Sequence, residues 1–210
     1  MRVLKAVLFV CLGLCGALPA SAQYVGVMQS AETMDQGVWK MMLAPIMVFG
    51  EDGADDEWGL SARVGYGFTE RFDAEAKFAF YDNLTYVGVD GEYWILQGKE
   101  KDAGVDFSLA GGIHGTFAGE GYYDTMGFDL QPLLSAHVSK RVELYAALDA
   151  SFESISDAPA NSDDSFTRLN LVPGIEYMIN EQIDLVGEFG LGLNDDSSSY
   201  AGIGLAFYLK

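Results

Sequence analysis

Apolar residues alternate with polar or small ones along most of the chain. Trp58, Leu60, Ala62, Val64, Tyr66 and Phe68 fall on one parity, with Gly59, Ser61, Arg63, Gly65 and Gly67 between them. The same two-residue period runs through 72–81, 105–117, 142–153 and 183–193. Successive side chains of a strand point to opposite faces, so this period predicts strands with one apolar and one polar face. A helix would superpose residues three and four apart, and these segments do not.

A short repeat places the turns between the strands. Phe68-Thr69-Glu70-Arg71-Phe72-Asp73-Ala74 matches Val138-Ser139-Lys140-Arg141-Val142-Glu143-Leu144 and Ile179-Asn180-Glu181-Gln182-Ile183-Asp184-Leu185. A looser copy ends at Val105-Asp106-Phe107, after the longer turn 98–102. The copies recur at about 37 residues, room for two strands, one tight turn and one longer loop. The longer connections, Gly50–Asp56, Ser154–Ser165 and Asn194–Ser199, are rich in the loop formers Asp, Ser, Gly and Asn. Ala118–Asp124 and the region of Asp82-Asn83 fill the same role. Tight turns and longer loops then alternate, which predicts ten strands near 38–49, 57–68, 72–81, 84–97, 104–117, 123–138, 142–153, 166–179, 182–193 and 200–209. Two of these are ambiguous. The first is apolar on both parities and contains Pro45, and Asp90-Gly91 inside the fourth also reads as a turn. Eight strands is the alternative if either dissolves.

Charge and composition narrow the class. Of 210 residues 12 are Lys or Arg and 31 are Asp or Glu, a net charge of −19 that excludes phosphate-reading nucleic-acid binding. An aromatic content of 13% argues against disorder. Beyond residue 20 no apolar run approaches the ~20 residues of a spanning helix. At the start, Arg2 and Lys5 precede the apolar run Ala6–Leu18, and Ala20-Ser21-Ala22 fits a small-x-small cleavage site. Residues 1–22 are therefore expected to be a cleaved signal peptide. Cys11 and Cys15 both fall within it, which leaves no thiol chemistry beyond. Residues 23–36 form a polar lead segment without clear periodicity, either a periplasmic lead or a segment tucked into the barrel, and 37–210 carry the strand pattern.

Exported strands of this kind face one of two ways. In a soluble barrel the apolar parity points inward; in a membrane barrel it points to lipid. Aromatics recur at strand ends on the apolar parity: Trp58 and Phe68, Phe72 and Phe80, Phe107 and Phe117, and Phe152. Ten residues at ~3.3 Å each, tilted about 40°, span about 25 Å, the height of a lipid band between two aromatic girdles. These seven residues are the candidate girdle. The repeated turns at 68–74, 138–144 and 179–185 resemble the periplasmic turns of small Gram-negative outer-membrane barrels of the OmpA/OmpX-like kind. The ending Gly202-Ile203-Gly204-Leu205-Ala206-Phe207-Tyr208-Leu209-Lys210 is similar to their C-terminal assembly signal, although Lys210 stands where the family usually ends on an aromatic. The resemblance implies an all-β, antiparallel, up-and-down transmembrane β-barrel in the bacterial outer membrane, without a peptidoglycan-binding domain. It also implies contact with outer-membrane lipids and lipopolysaccharide, and assembly by periplasmic chaperones and the barrel-assembly machinery. No cofactor is expected.

If the apolar parity meets lipid, the other lines a lumen. That parity carries Glu57, Asp73, Glu75, Asp106, Asp129, Glu143, Asp149, Glu153, Glu176, Asp184 and Glu188 against Arg63, Lys77, Arg168 and, on the first strand, Lys40. Such a surplus suits either an ion-pair network or a narrow, porin-like, cation-preferring pore. The lumen glycines Gly59, Gly65, Gly67, Gly112, Gly127, Gly190 and Gly192 would leave room for water. His114 and His137 share this parity, but no serine stands at the required reach and no motif supports catalysis. No catalytic, cofactor-binding or metal residues are expected, and the protein is not expected to be an enzyme. The acidic loops, with Asp52, Asp55, Asp56, Asp157, Asp163, Asp164, Asp195 and Asp196, keep the tips solvated or bridge to lipopolysaccharide phosphates through divalent cations. The function expected is structural or small-pore, the alternative being an adhesion or interaction protein acting on an unknown surface ligand through these loops. The topology makes a first prediction: tags inserted at 158–161 are cleaved by protease added to intact cells, and tags at Lys140 are not. The opposite pattern would invert the barrel.

Overall fold

The computed structural model describes residues 25–50, 55–98, 104–119, 123–156 and 164–210. The expected signal peptide, the loop tip at 157–163 and most of the acidic loop at 51–54 lie outside the described residues. Ten strands form: β1 Trp39–Val48, β2 Glu57–Thr69, β3 Phe72–Tyr81, β4 Leu84–Leu96, β5 Val105–Ala118, β6 Thr125–Ser139, β7 Val142–Ile155, β8 Ser165–Asn180, β9 Ile183–Gly192 and β10 Tyr200–Leu209. Each pairs antiparallel with its sequence neighbours, and β1 also pairs with β10, from Trp39↔Leu209 to Val48↔Tyr200. The sheet is therefore a closed barrel with no free edge.

Both ambiguous strands are present. Asp90-Gly91 is not a turn: Asp90 pairs with Glu75 on one side and Gly112 on the other. Pro45 lies opposite Leu60 of β2, and the β1–β10 ladder skips it, as a residue without an N–H requires. Two connections depart from strict alternation. Asp82-Asn83 is a two-residue turn between β3 and β4 rather than a longer loop, and the β4–β5 link is long although it lies at the end of the barrel that holds the tight turns. The latter is the looser copy of the repeat.

The apolar parity faces outward all round the ring. Leu148, Ile113, Phe128, Leu171 and Ile203 are exposed, whereas their neighbours Ala147, Val172 and Gly112 turn inward or are screened. A water-soluble chain of this size would not expose so continuous an apolar surface; hydrocarbon requires it. All the candidate girdle aromatics lie on this outer face. At the tight-turn end Phe68 packs edge-on against Tyr66 at 5.0 Å and beside Phe72 at 5.9 Å. At the other end Phe152 stacks on Phe128 at 4.6 Å.

One neighbouring pair tests this orientation. Leu148→Arg places a cation against hydrocarbon at mid-strand, at a cost of about 2–4 kcal/mol, and is expected to prevent folding into lipid vesicles. Ala147→Ser turns a hydroxyl inward and is expected to fold normally. The heat-dependent gel shift of the folded barrel measures both, and equal tolerance at the two positions would contradict the orientation.

Candidate functional site

The interior of the barrel is occupied. Residues 25–38 precede β1 without joining the sheet ladder, and Val25, Val27, Met28, Gln29, Ser30, Ala31, Thr33, Met34 and Val38 are buried inside the ring. The lead segment enters at the tight-turn end, where Gly37 donates to Gly67 and Gly67 donates to Val38. From there it runs along the lumen to Val25.

Wall side chains hold this segment by its backbone. The guanidinium of Arg63, itself 1% exposed, donates to the carbonyls of Val27 at 2.6 Å and Val25 at 3.1 Å, and to that of Gly26. The Glu188 carboxylate accepts from the amides of Val27 at 2.8 Å and Met28 at 2.6 Å, and from the hydroxyls of Tyr145 and Tyr200. Gly26 and Met28 both have positive φ, 74° and 50°, which turns two successive amides toward one anion. At Gly26 another residue is strained by the positive φ, and its Cβ, 2.4 Å from a Glu188 oxygen, would push that carboxylate off the amides. Met28 pays the usual strain of a non-glycine residue in this region, and the carboxylate holds it there. Further along, Met34 donates to Asp73 at 2.8 Å, Ala31 to Ser135 Oγ at 3.1 Å, and the Gln29 side chain to Glu92 at 3.1 Å.

The remaining lumen groups form two networks. Near the tight-turn end Lys40 pairs with Glu75 at 2.6 Å, and Arg63 reaches the same carboxylate at 3.3 Å. Lys77 pairs with Asp90. Toward the loop end His114 lies between Asp129 at 2.8 Å and Glu153 at 2.7 Å, and Arg168 contacts Glu153 as well. Thr125 and Ser151 donate to Glu153, and Gln131 donates to Asp149 at 2.8 Å. Tyr208 donates to Glu176 at 3.4 Å, and Trp94 to Asp106 at 3.1 Å. Glu143 and Asp184 also face inward. The structure thus brings Arg63, Asp73, Glu75 and Glu188 together around the lead segment, and Asp129, Asp149, Lys77 and Arg168 together higher in the barrel. Asp106 stands apart at the β4–β5 link.

The glycines do not leave room for water. A Cβ on Gly59, Gly190 or Gly127 would run into the rings of Tyr81, Tyr200 or His114. At Gly65 it would meet Met34 and Glu75, at Gly67 the carbonyl of Asp35, at Gly112 the carbonyl of Val89, and at Gly192 the carbonyl of Ser197. Each missing side chain is replaced by a neighbour, often an aromatic ring or the lead segment. A polar cavity of about 30 Å³ remains beside Val25, Lys77, Asp149 and Arg168, enough for about one water.

Sequence reasoning left the lead segment open between a periplasmic lead and a segment tucked into the barrel, and the structure places it in the lumen; it missed Asp90 and Glu92 as lumen acids. The β1 parity that looked ambiguous was the available signal. Met42, Ala44, Ile46 and Val48 point inward although apolar, and Met28 reaches the same surface opposite Gly202 beside Ile46. At the tight-turn mouth Glu32 of the lead segment lies 3.1 Å from His137 Nε2, and burial together with the nearby Glu143 carboxylate pushes its carboxyl up to about 7.

If Arg63 anchors the segment, Arg63→Gln strands three carbonyls and leaves Glu75 less well paired. Breaking a buried pair costs about 3–5 kcal/mol, so urea unfolding of the variant in detergent is expected to show a loss of that size. A change below about 1 kcal/mol would mean that the segment is held by shape alone.

Residues 7–207 match the family model described as outer membrane protein beta-barrel domain. No curated protein matches the chain in sequence. Among solved structures, an outer membrane channel from Pseudomonas putida F1 is similar at a TM-score of 0.59 and 10% identity, over 85% of this chain and 98% of that one. The N-terminal β-barrel domain of Pseudomonas aeruginosa OprF is similar at 0.38 and 14% identity, over 84% and 100%. The attachment invasion locus protein Ail of Yersinia pestis, solved with the heparin analogue sucrose octasulfate, is similar at 0.37 and 10%, over 83% and 99%.

Proposed function

The chain belongs to the outer membrane protein beta-barrel domain family and resides in the bacterial outer membrane, and from that premise we propose that it is a narrow channel closed by its own lead segment. The observation that carries this is the way the segment is held. It occupies the lumen outside the ladder of the sheet, bonded mainly by side chains of the wall. A plug held by a handful of hydrogen bonds can leave without opening a β-ladder, so the wall remains intact when the segment moves. The similar fold from Pseudomonas putida is named as a channel, which is consistent with a conduit in this architecture.

The chemistry of the wall sets the sign of the current. The segment brings amide donors to Glu188 and Asp73, and its withdrawal bares both carboxylates. Lys40, Arg63, Lys77 and Arg168 are already committed to acids. Water entering such a lumen finds surplus negative charge, which favours cations over anions. Contact with bilayer lipid follows from the fold, and chaperone-assisted assembly is proposed on the same family basis.

Conductance in a planar bilayer tests the reading. The complete mature chain is expected to be mostly closed. Deletion of 25–36, or Glu188→Gln, which places an amide where Val27 and Met28 need an acceptor, is expected to give sustained conductance. A salt gradient across the bilayer is then expected to give a reversal potential on the cation side. A folded deletion variant that conducts nothing would overturn the channel and assign function to the acidic outer loops.

A further inference from the structure

At the mouth where the lead segment enters, Glu32 of the segment, His137 at the end of β6 and Glu143 at the start of β7 converge. One nitrogen of His137 and one oxygen of each carboxylate lie within 4.8 Å of one another. We propose that these three residues form a binding site for a divalent transition-metal ion of the zinc class, joining the lead segment to the β6–β7 hairpin.

Geometry and donor chemistry both favour it. Ligand atoms around tetrahedral zinc stand about 3.3 Å apart, from bonds of about 2.0–2.1 Å. One ion takes one ring nitrogen of His137; His137 Nε2 and Glu32 Oε1 are already at 3.1 Å, and the three ligand atoms, one from each residue, lie within 4.8 Å of one another. A contraction of up to about 1.5 Å closes the set around an ion, and Glu32 and His137 can make it: one lies outside the sheet, and the other is half-exposed at a strand end. A second observation is independent of this clustering. Glu143 is only 5% exposed, and although the Ser30 and Ser135 hydroxyls reach its carboxylate, its Oε1 is buried without a donor. Leaving a buried carboxylate oxygen unpartnered is costly, and a cation satisfies it. One imidazole and two carboxylates with water completing the shell is a zinc-type donor set. Calcium requires six to eight oxygens, which three residues at an open mouth do not supply. The site stands whether or not the barrel conducts.

Calorimetric titration of the refolded barrel in detergent with Zn²⁺ tests it, with Ca²⁺ and Mg²⁺ as controls. One Zn²⁺ per barrel is expected, and Co²⁺ at the same site should show the visible absorption of a low-coordinate complex. His137→Gln is expected to weaken Zn²⁺ binding about tenfold or more, Glu32→Gln to weaken it less, and His137→Cys to restore a ligand and retain binding. Asp195→Asn with Asp196→Asn in the outer loop is expected to leave it unchanged. The gel shift of the folded barrel checks each variant. Absence of saturable Zn²⁺ binding, binding indifferent to His137→Gln, or equal affinity for Ca²⁺ would overturn the site.

Discussion

Everything inside this barrel depends on finding hydrogen-bond donors for carboxylates that have turned their backs on water. Among the described residues the ring presents a dozen or so acids to its interior against four lysines and arginines, with His114 as a fifth basic group. An unpaired buried carboxylate is among the most costly groups a fold can carry. The solution is to recruit backbone amides, which are strong donors and carry no charge of their own. Residues 27, 28 and 34 supply three to Glu188 and Asp73, and Arg63 anchors the same stretch by its carbonyls. The segment and the wall complete each other.

That dependence also divides the lumen. Its lower half is organised around a strand-free peptide, with Arg63 and Glu188 as opposite poles of one clamp. Its upper half is organised by side chains alone, with His114 between Asp129 and Glu153 and Arg168 on the same carboxylate. The first arrangement is separable, because its donors lie on a segment whose backbone-to-backbone bonds to the sheet, among the described residues, are confined to Gly67. The second is not, because every member is fixed on a paired strand. Any change of state is therefore concentrated in the first.

The wall was legible in the sequence and the arrangement of its contents was not, for a physical reason. A strand writes its orientation into every second residue, so 142–153 shows its lipid and lumen faces directly. The lead segment is held largely through amides and carbonyls, which all residues share, and no spacing of side chains records them. Glycines mislead in the same way. Gly190 looks like vacancy, yet the ring of Tyr200 on the paired strand lies over it. Asp90 and Glu92 were obscured because Asp-Gly is a strong turn signal that pairing on both sides of β4 overrides. The seven candidate girdle aromatics stand on the outer face because parity alone determines that.

The position of the lead segment constrains how the ring is closed. The chain passes from inside the barrel directly into β1, the strand that seals against β10. Residues ahead of Trp39 must therefore either be enclosed as β1 and β10 meet or be threaded through a finished ring from its mouth. Enclosure lets Arg63 and Glu188 grip the peptide while the seam is still open, so that the peptide acts as a mandrel about which the last pair of strands is drawn together. Bulk attached ahead of Val25 is then a problem of order: a folded body at that end has to be outside the ring before the seam shuts, or the ring cannot shut around its own beginning.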